Sequence, residues 1–131
     1  MMVLELPIYY TFEYKTKKDK TVLVGINWYR NTHFQLETKV KKYYQDLVWS
    51  KLSNKTEQFE QYKIHYKLFY KSKVCDASNI IPIIDKYLND TIQEMGLLIN
   101  DNVNYYKQSS WEVCGQDTAN PRVEIEIQEI L

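Results

Sequence analysis

Apolar and polar residues alternate in two stretches of the chain, residues 59–71 and residues 122–130. A period of two places successive side chains on opposite faces of a β-strand, so both stretches are predicted strands. The first one has an apolar face that is predicted to belong to the core. Its other face is predicted to form a basic ribbon, made of Lys63, His65, Lys67, Phe69 and Lys71.

Residues 32–53 repeat their apolar positions at intervals of three and four, as an amphipathic helix does. Thr32 and Gln35 have the spacing of a capping box, which predicts the start of this helix. The preceding residues 27–31 are predicted to be a connecting loop. This loop is dense in stacking and hydrogen-bonding groups, and loops on a rigid scaffold often carry function.

A second helix is predicted to follow the strand of residues 59–71. Ser78 or Asn79 is its predicted cap, and Pro82 then lies in the first turn, where the missing N–H costs least. Gly96 is the predicted left-handed end. The buried stripe is predicted to consist of Ile80, Ile84, Leu88, Ile92 and Met95.

The remaining β-branched and aromatic runs, residues 3–14, 21–26 and 103–113, are predicted strands. The first two are separated by KTKKDK, which suits a hairpin with a lysine-rich tip. The order β-β-α-β-α-β-β, with hairpins at both ends, predicts one α+β domain over residues 1–131. Two main helices are expected to pack on a mixed sheet.

Aromatic residues are abundant, with 12 tyrosines, three tryptophans and four phenylalanines in 131 residues. Such residues serve in cores, at interfaces and in base stacking. The two cysteines have neither zinc spacing nor a disulfide framework, which favours a reducing compartment. No segment has the length and apolarity of a membrane span. A cytoplasmic protein without a membrane partner is therefore predicted.

Charge is unevenly distributed although its net value is zero. Residues 1–74 carry 14 lysines and arginines against seven acidic residues, whereas residues 75–131 carry three against ten. This division suits a protein that holds phosphates with one surface and a metal ion with another. The alternative is that folding interleaves the two halves in space.

Two carboxylates bracket the second predicted helix. Asp76 precedes the helix and Asp101 follows it, and the two can converge if both connections lie on the same side of a sheet. A few carboxylates that converge are a site for Mg²⁺, the metal of much phosphoryl chemistry. The alternatives are a helix cap at Asp76 and a turn at residues 100–102.

Four motifs in the same order resemble RusA-type Holliday junction resolvases, particularly the divergent versions of phages and prophages. They are NWYRNTHF before a lysine-rich helix, DASN followed by DKYLND, the NDN after Gly96, and NPRVEI in the last strand. The resemblance spans nearly the whole chain. It implies a Mg²⁺-dependent endonuclease that cuts branched DNA as a homodimer in a bacterial host cell. Whether Mn²⁺ replaces Mg²⁺ is left open by the sequence.

The resemblance also implies roles for individual residues. Asp76 and Asp101 match metal-binding aspartates, Lys86 matches the catalytic lysine, and Asp90 lies one helical turn after it. Asn79 matches the motif's asparagine. Asp85 and Asp90 could complete the ligand set, while the DNA backbone is expected to contact Lys63, Lys67, Lys71, Arg30 and Lys41.

Two departures from the family pattern each remove a negative charge. Ser78 stands where the motif has its second aspartate, and Asn100 where the family has the first of a pair. A non-catalytic DNA- or protein-binding module with a decayed site is therefore the alternative function. An aromatic-rich adaptor without DNA contact is a third, and it leaves the charge distribution unexplained. For the dimer, the exposed edge is expected at Val123–Ile130 or at the N-terminal hairpin.

Overall fold

The structure, a computed structural model, describes residues 1–73 and 75–131. Within these residues the chain forms six strands and three helices. In chain order they are β1 (Met2–Pro7), β2 (Tyr9–Phe12), β3 (Lys20–Leu23), α1 (Ile26–Asn31), α2 (Phe34–Leu52), β4 (Tyr62–Tyr70), α3 (Ala77–Glu94), β5 (Tyr106–Gln116) and β6 (Arg122–Glu129).

The predicted α+β class is confirmed, and the predicted order of elements is broadly matched. Four strands form a mixed sheet in the order β1-β6-β4-β5, while β2 and β3 pair as a separate hairpin. Strand β4 is parallel to β5 and antiparallel to β6, and β1 is antiparallel to β6. Helix α3 is therefore the crossover between two neighbouring parallel strands.

The predicted hairpin at the C-terminal end is wrong, because β4 lies between β5 and β6 in the sheet. Strand β4 buries alternate side chains from Tyr62 to Leu68 almost completely. A strand buried in this way lies in the interior of a sheet, with a neighbour on each side. Strand β6 is interior as well, so the edge expected at Val123–Ile130 is not an edge. The outer strands are β1 and β5.

The N-terminal region differs from its prediction in two places. The predicted strand of residues 3–14 is divided, since the chain leaves the main sheet at the fully buried Ile8 and continues as β2. Residues 27–31, a predicted loop, belong to helix α1. Helix α1 has no capping residue next to it in sequence, because its N-cap position is Gly25, which has no side chain. Asn79 of α3 caps the helix instead, by accepting a hydrogen bond from Asn27 N at 3.0 Å.

Both predicted cap positions of the longer helices are also wrong. Helix α2 begins after His33, whose carbonyl accepts from Leu36 N and Glu37 N, and Thr32 ends α1 instead. Helix α3 is capped by Asp76, two residues earlier than the first predicted cap. Pro82 is consequently the sixth helical residue and leaves the Ser78 carbonyl without its intrahelical donor. The left-handed end at Gly96 is confirmed, with φ of 79°.

The core lies between the sheet and helices α2 and α3. The predicted apolar face of β4 is buried, as are Ile80, Ile84, Leu88 and Ile92 of α3, whereas Met95 is half-buried. Helix α2 contributes Val40, Tyr44, Val48 and Leu52. Aromatic rings take part directly, since Tyr44 of α2 stacks on Tyr87 of α3 at a centroid distance of 5.5 Å. Much of the aromatic content is thus core.

Gly25→Ala is expected to lower the free energy of unfolding by about 1–3 kcal/mol, the usual cost of overpacking. A Cβ atom at Gly25 would lie 2.6 Å from Asn79 Nδ2 and 2.8 Å from the Asn79 carbonyl oxygen. The side chain can move away, but the backbone of α3 cannot. Urea unfolding measures the loss, and adding Asn79→Ala should recover only part of it. Unchanged stability of Gly25→Ala would contradict the close approach.

Candidate functional site

Asp76 occupies the N-terminus of α3, after the carboxyl end of β4. Its Oδ1 accepts hydrogen bonds from Ser78 N at 3.1 Å and from Ser78 Oγ at 2.9 Å. These bonds, together with the helix dipole, stabilise a carboxylate at this position. The capping alternative thus describes the geometry of Asp76. The residue is nevertheless exposed, and both bonds use Oδ1.

Asn79, the motif's asparagine, joins α1 to α3. Its side-chain oxygen accepts the bond from Asn27 N, and its backbone approaches Gly25 closely. The first turn of α3 therefore holds both the Asp76 cap and the anchor of α1. Asn79 has a structural contact that accounts for an asparagine at this position.

Asp101 lies in the connection between α3 and β5, next to the amino end of β4. The side chain of Asn100 accepts hydrogen bonds from Asp101 N at 2.7 Å and from Asn102 N at 3.1 Å. Asn102 continues the pattern by accepting from Asn104 N at 2.9 Å. Asn100, which stands where the family has an aspartate, therefore shapes the turn. The alternative interpretation of the sequence was a turn at residues 100–102.

Asp85 is the centre of a polar network that the sequence did not reveal. Its Oδ1 accepts hydrogen bonds from the hydroxyls of Tyr66 and Tyr106 and from Asn89 Nδ2. Asn89 in turn accepts from the Tyr62 hydroxyl at 2.7 Å, so three tyrosines converge on two side chains of α3. The signal in the sequence was the three tyrosines on apolar strand positions, whose hydroxyls need buried partners.

Burial raises the pKa of Asp85 above its ordinary value, and the charge of Asp101 raises it further. The hydrogen bonds from the tyrosines and Asn89 act in the opposite direction but do not outweigh burial. The pKa of Tyr62 is raised by burial and then by Asp101 as well. Asp101 is therefore electrostatically close to this network in the middle of α3.

Lys86 and Asp90 form an ion pair on the exposed side of α3, with 3.3 Å between Nζ and Oδ2. Partial burial acts to lower the pKa of Lys86, but Asp90 and the nearby Tyr29 and Glu37 outweigh it, so the pKa is raised. The lysine is charged at neutral pH and has a carboxylate partner. It lies ten residues from Asp76, which is about 15 Å along a helix axis. One chain therefore does not bring Lys86 to Asp76.

The condition for convergence of Asp76 and Asp101 is not met within one chain. They lie at opposite ends of α3, whose 18 residues extend over about 27 Å. Among the described residues no group of three or more His, Cys, Asp or Glu side chains could hold a metal ion. The predicted ligands Asp76, Asp90 and Asp101 thus do not fit Mg²⁺ or Mn²⁺ as one set in a single chain.

The basic ribbon of β4 lies beside acidic residues of its neighbours. Lys67 Nζ is 3.1 Å from Glu126 of β6, and His65 Nε2 is 3.3 Å from Glu112 of β5. Pairing of β4 with β6 thus interleaves the basic and acidic halves of the sequence, which was the alternative to two separate surfaces. Lys63 shares this face, while Lys71 lies over the ring of Tyr9 at the end of the strand.

Two further predicted DNA contacts lie on the helices. Arg30 is exposed in the last turn of α1, and Lys41 of α2 borders a shallow pocket with Asp90, Gln93 and Glu94.

Arg122 of the NPRVEI motif contacts three carboxylates, those of Glu5, Asp117 and Glu124, and covers the ring of Phe69. That arginine therefore holds β1, β4 and β6 together at one end of the sheet.

The sequence matches no family model, and no curated protein matches it significantly. The helices of the described residues include none that is long and apolar enough to cross a membrane.

Proposed function

We propose that this chain is a RusA-like endonuclease, encoded by a phage or prophage. It would act on branched DNA as a homodimer in the cytoplasm of a bacterial cell. The proposal joins the four motifs of the sequence to one geometric observation. Asp76 and Asp101 lie at opposite ends of α3, so a site that needs both is incomplete in one chain and requires a second copy.

The outer edge of β5 is the surface through which two copies would associate. Strand β5 has 11 residues and, within the part of the chain that the structure describes, a neighbour on one side only. It exposes Trp111 and Val113 by about half. An open edge with apolar side chains is a template for pairing with another chain. At the opposite edge of the sheet, Lys51 of α2 donates to the Glu5 carbonyl of β1 and partly covers the β1 edge.

Antiparallel pairing of two β5 strands about Trp111, their middle residue, joins the two sheets around a two-fold axis. Asp76 lies at the end of the sheet where β4 and β5 terminate, and Asp101 at the end where they begin. The antiparallel arrangement therefore sets Asp76 of one protomer at the same end as Asp101 of the partner subunit. Each dimer then has two equivalent pairs of Asp76 with the partner's Asp101, one at each end of the joined sheet, as paired cuts at a four-way junction require.

Asp76 and the partner's Asp101 are the residues that would hold Mg²⁺, or Mn²⁺ in its place. A bound divalent cation supplies charge stabilisation and a more acidic water for phosphodiester hydrolysis. Arg30, Lys41, Lys63 and Lys71 form no ion pair among the described residues and are the first candidates for the DNA backbone. Lys67 would contribute less, because its Nζ lies 3.1 Å from Glu126.

The alternative proposal is a non-catalytic binding module. Specific contacts favour it: Asp76 is engaged as a helix cap, Asn100 shapes a turn, and Lys86 is paired with Asp90. In this case the fold and the basic residues would be retained for binding while the site is no longer used.

Incubation with a synthetic four-way junction in Mg²⁺, Mn²⁺ or EDTA separates these proposals. Cleavage that depends on the metal supports the endonuclease, and binding without cleavage supports the module. If the protein neither binds nor cuts the junction, both proposals are contradicted. A linear duplex of the same sequence is the control, because an enzyme selective for branched DNA should leave it intact.

Trp111→Lys is expected to raise the dissociation constant of the dimer at least about 30-fold, the effect of losing a central contact worth about 2 kcal/mol or more. At the two-fold axis each dimer loses two such side chains. Light scattering should give twice the chain mass of 15.8 kDa for the unchanged protein and the chain mass for the variant. Trp49→Lys is the matched control, since Trp49 of α2 is equally exposed. A monomeric unchanged protein would contradict the dimer.

A further inference from the structure

A cavity of about 310 Å³ lies between the β2–β3 hairpin and the junction of α1 with α2. None of the carboxylates assigned above borders it. Its volume is at the lower end of the range of about 300–1,000 Å³ for small-molecule sites, which favours a single planar group. The lining residues are Phe12, Tyr14, Lys20, Val22, Trp28, Asn31, Thr32, His33 and Leu36.

Aromatic rings form the inner walls of this cavity and are held in place. Phe12 is buried and packs edge-on against Tyr10 at a centroid distance of 4.8 Å. Tyr14 is nearly parallel to Phe12, with an interplanar angle of 24°, and Trp28 is half-buried and packs against the core. Rings that are fixed before binding offer stacking surfaces at low entropic cost.

The rim of the cavity is basic. Lys20 lines it directly, and Lys17 Nζ lies 4.3 Å from the centre of the Tyr14 ring. Lys15 and Lys18 belong to the same exposed hairpin tip. Of the acidic residues there, Asp19 accepts a hydrogen bond from Tyr14 N at 3.2 Å and so shapes the loop. An anion that enters the cavity mouth therefore meets several flexible ammonium groups.

Polar groups of the α1–α2 junction are available to a ligand. Asn31 Nδ2 donates to the Asn27 carbonyl at 2.7 Å, and this bond orients the amide while leaving Oδ1 as an acceptor. His33 makes no capping bond with its side chain, and its ring is exposed on the cavity wall. The site thus combines aromatic faces, a few hydrogen-bonding groups and positive charge.

We propose that this cavity binds one unpaired nucleobase of DNA, with the ring against Trp28 and the adjoining phosphates on Lys20 and the hairpin lysines. Single-stranded nucleic acids are held by this combination of stacking and backbone charge. The inference rests on the proposed function in taking DNA as the ligand. It adds a contact for bases that are unstacked at a strand exchange point.

Tryptophan fluorescence tests the contact directly. In a Trp49→Phe, Trp111→Phe double variant, Trp28 is the only remaining tryptophan. Titration with a five-nucleotide oligothymidylate should quench it. An abasic deoxyribose-phosphate oligomer of equal charge should bind roughly 5- to 150-fold more weakly, the stacking contribution of one base. Equal binding of both oligomers, or no quenching, would overturn the inference.

Trp28→Leu keeps apolar volume and removes the stacking surface. It should weaken oligothymidylate binding by the same factor, followed by the fluorescence anisotropy of a labelled oligomer because the variant lacks the Trp28 signal, whereas the control Trp49→Leu should leave binding unchanged. Equal effects of the two variants would also overturn the inference. The result is independent of the junction assay: oligomer binding without junction binding rejects only the proposed function, and junction binding without oligomer binding rejects only this contact.

Discussion

Mixing the Asp76→Asn and Asp101→Asn variants should restore junction cleavage that neither variant performs alone. In a dimer with shared sites, each mixed dimer has one site with both substitutions and one site with neither. Random exchange of equal amounts makes half of the dimers mixed, so about a quarter of the original sites are intact. Because a mixed dimer has one working site, the product should be a nicked junction and not two separated duplexes.

Cleavage by the unchanged protein is the reference for this experiment. If it cuts and the mixture does not, Asp76 and Asp101 act within one chain, and the shared site is rejected. Asp46→Asn provides a control, since Asp46 is an exposed residue of α2 whose ion pair among the described residues is with Lys42, and its substitution should leave cleavage unchanged. If the unchanged protein binds the junction without cutting, the binding module stands and the endonuclease is rejected.

Asp85→Ala should lower the free energy of unfolding by about 2–5 kcal/mol. The substitution leaves the hydroxyls of Tyr66 and Tyr106 without their acceptor, and each buried unpaired polar group costs about 1–3 kcal/mol. Asp85→Asn should cost much less, since all three bonds of the network end on Oδ1, which an amide oxygen can replace. Urea unfolding of the two variants separates the effect of the bonds from that of the charge.

The difference in stability between Asp85→Asn and the unchanged protein should depend on pH. Burial raises the pKa of Asp85 in the folded state, so between its ordinary value of 3.8 and the raised value the folded state holds more protons than the unfolded state. Its contribution to stability therefore falls as pH rises through this window. Asp85→Asn lacks this loss, so its stability relative to the unchanged protein should increase with pH there. A constant difference would show that the hydrogen bonds cancel the burial.

The parts of the fold that were predicted from sequence depend on local patterns. Strand β4 alternates strictly, helix α3 repeats its apolar residues, and Gly96 ends that helix as expected. Helix α1 was missed because the bond that caps it comes from Asn79, 52 residues away in sequence. The place of β6 in the sheet was missed for a similar reason, since no local pattern indicates that β4 separates two consecutive strands.

The candidate site shows the same limit. Asp76 and Asn100 were each given a capping or turn alternative, and their hydrogen bonds have that geometry. Charge along the sequence did not indicate charge on the surface, because β-pairing places Lys67 beside Glu126. The network around Asp85 was not predicted, as its partners Tyr66 and Tyr106 come from separate strands.

Strand β5 has a consequence for the motions of the folded chain. Among the described residues it pairs with β4 and with no other strand, so breaking one ladder frees it, whereas β4 and β6 each have two neighbours. Local opening should therefore release the backbone amides of β5 to exchange with solvent well before those of β4 and β6. In the proposed dimer, a second copy along the free edge would add another ladder to β5. The protection of this one strand then depends on protein concentration.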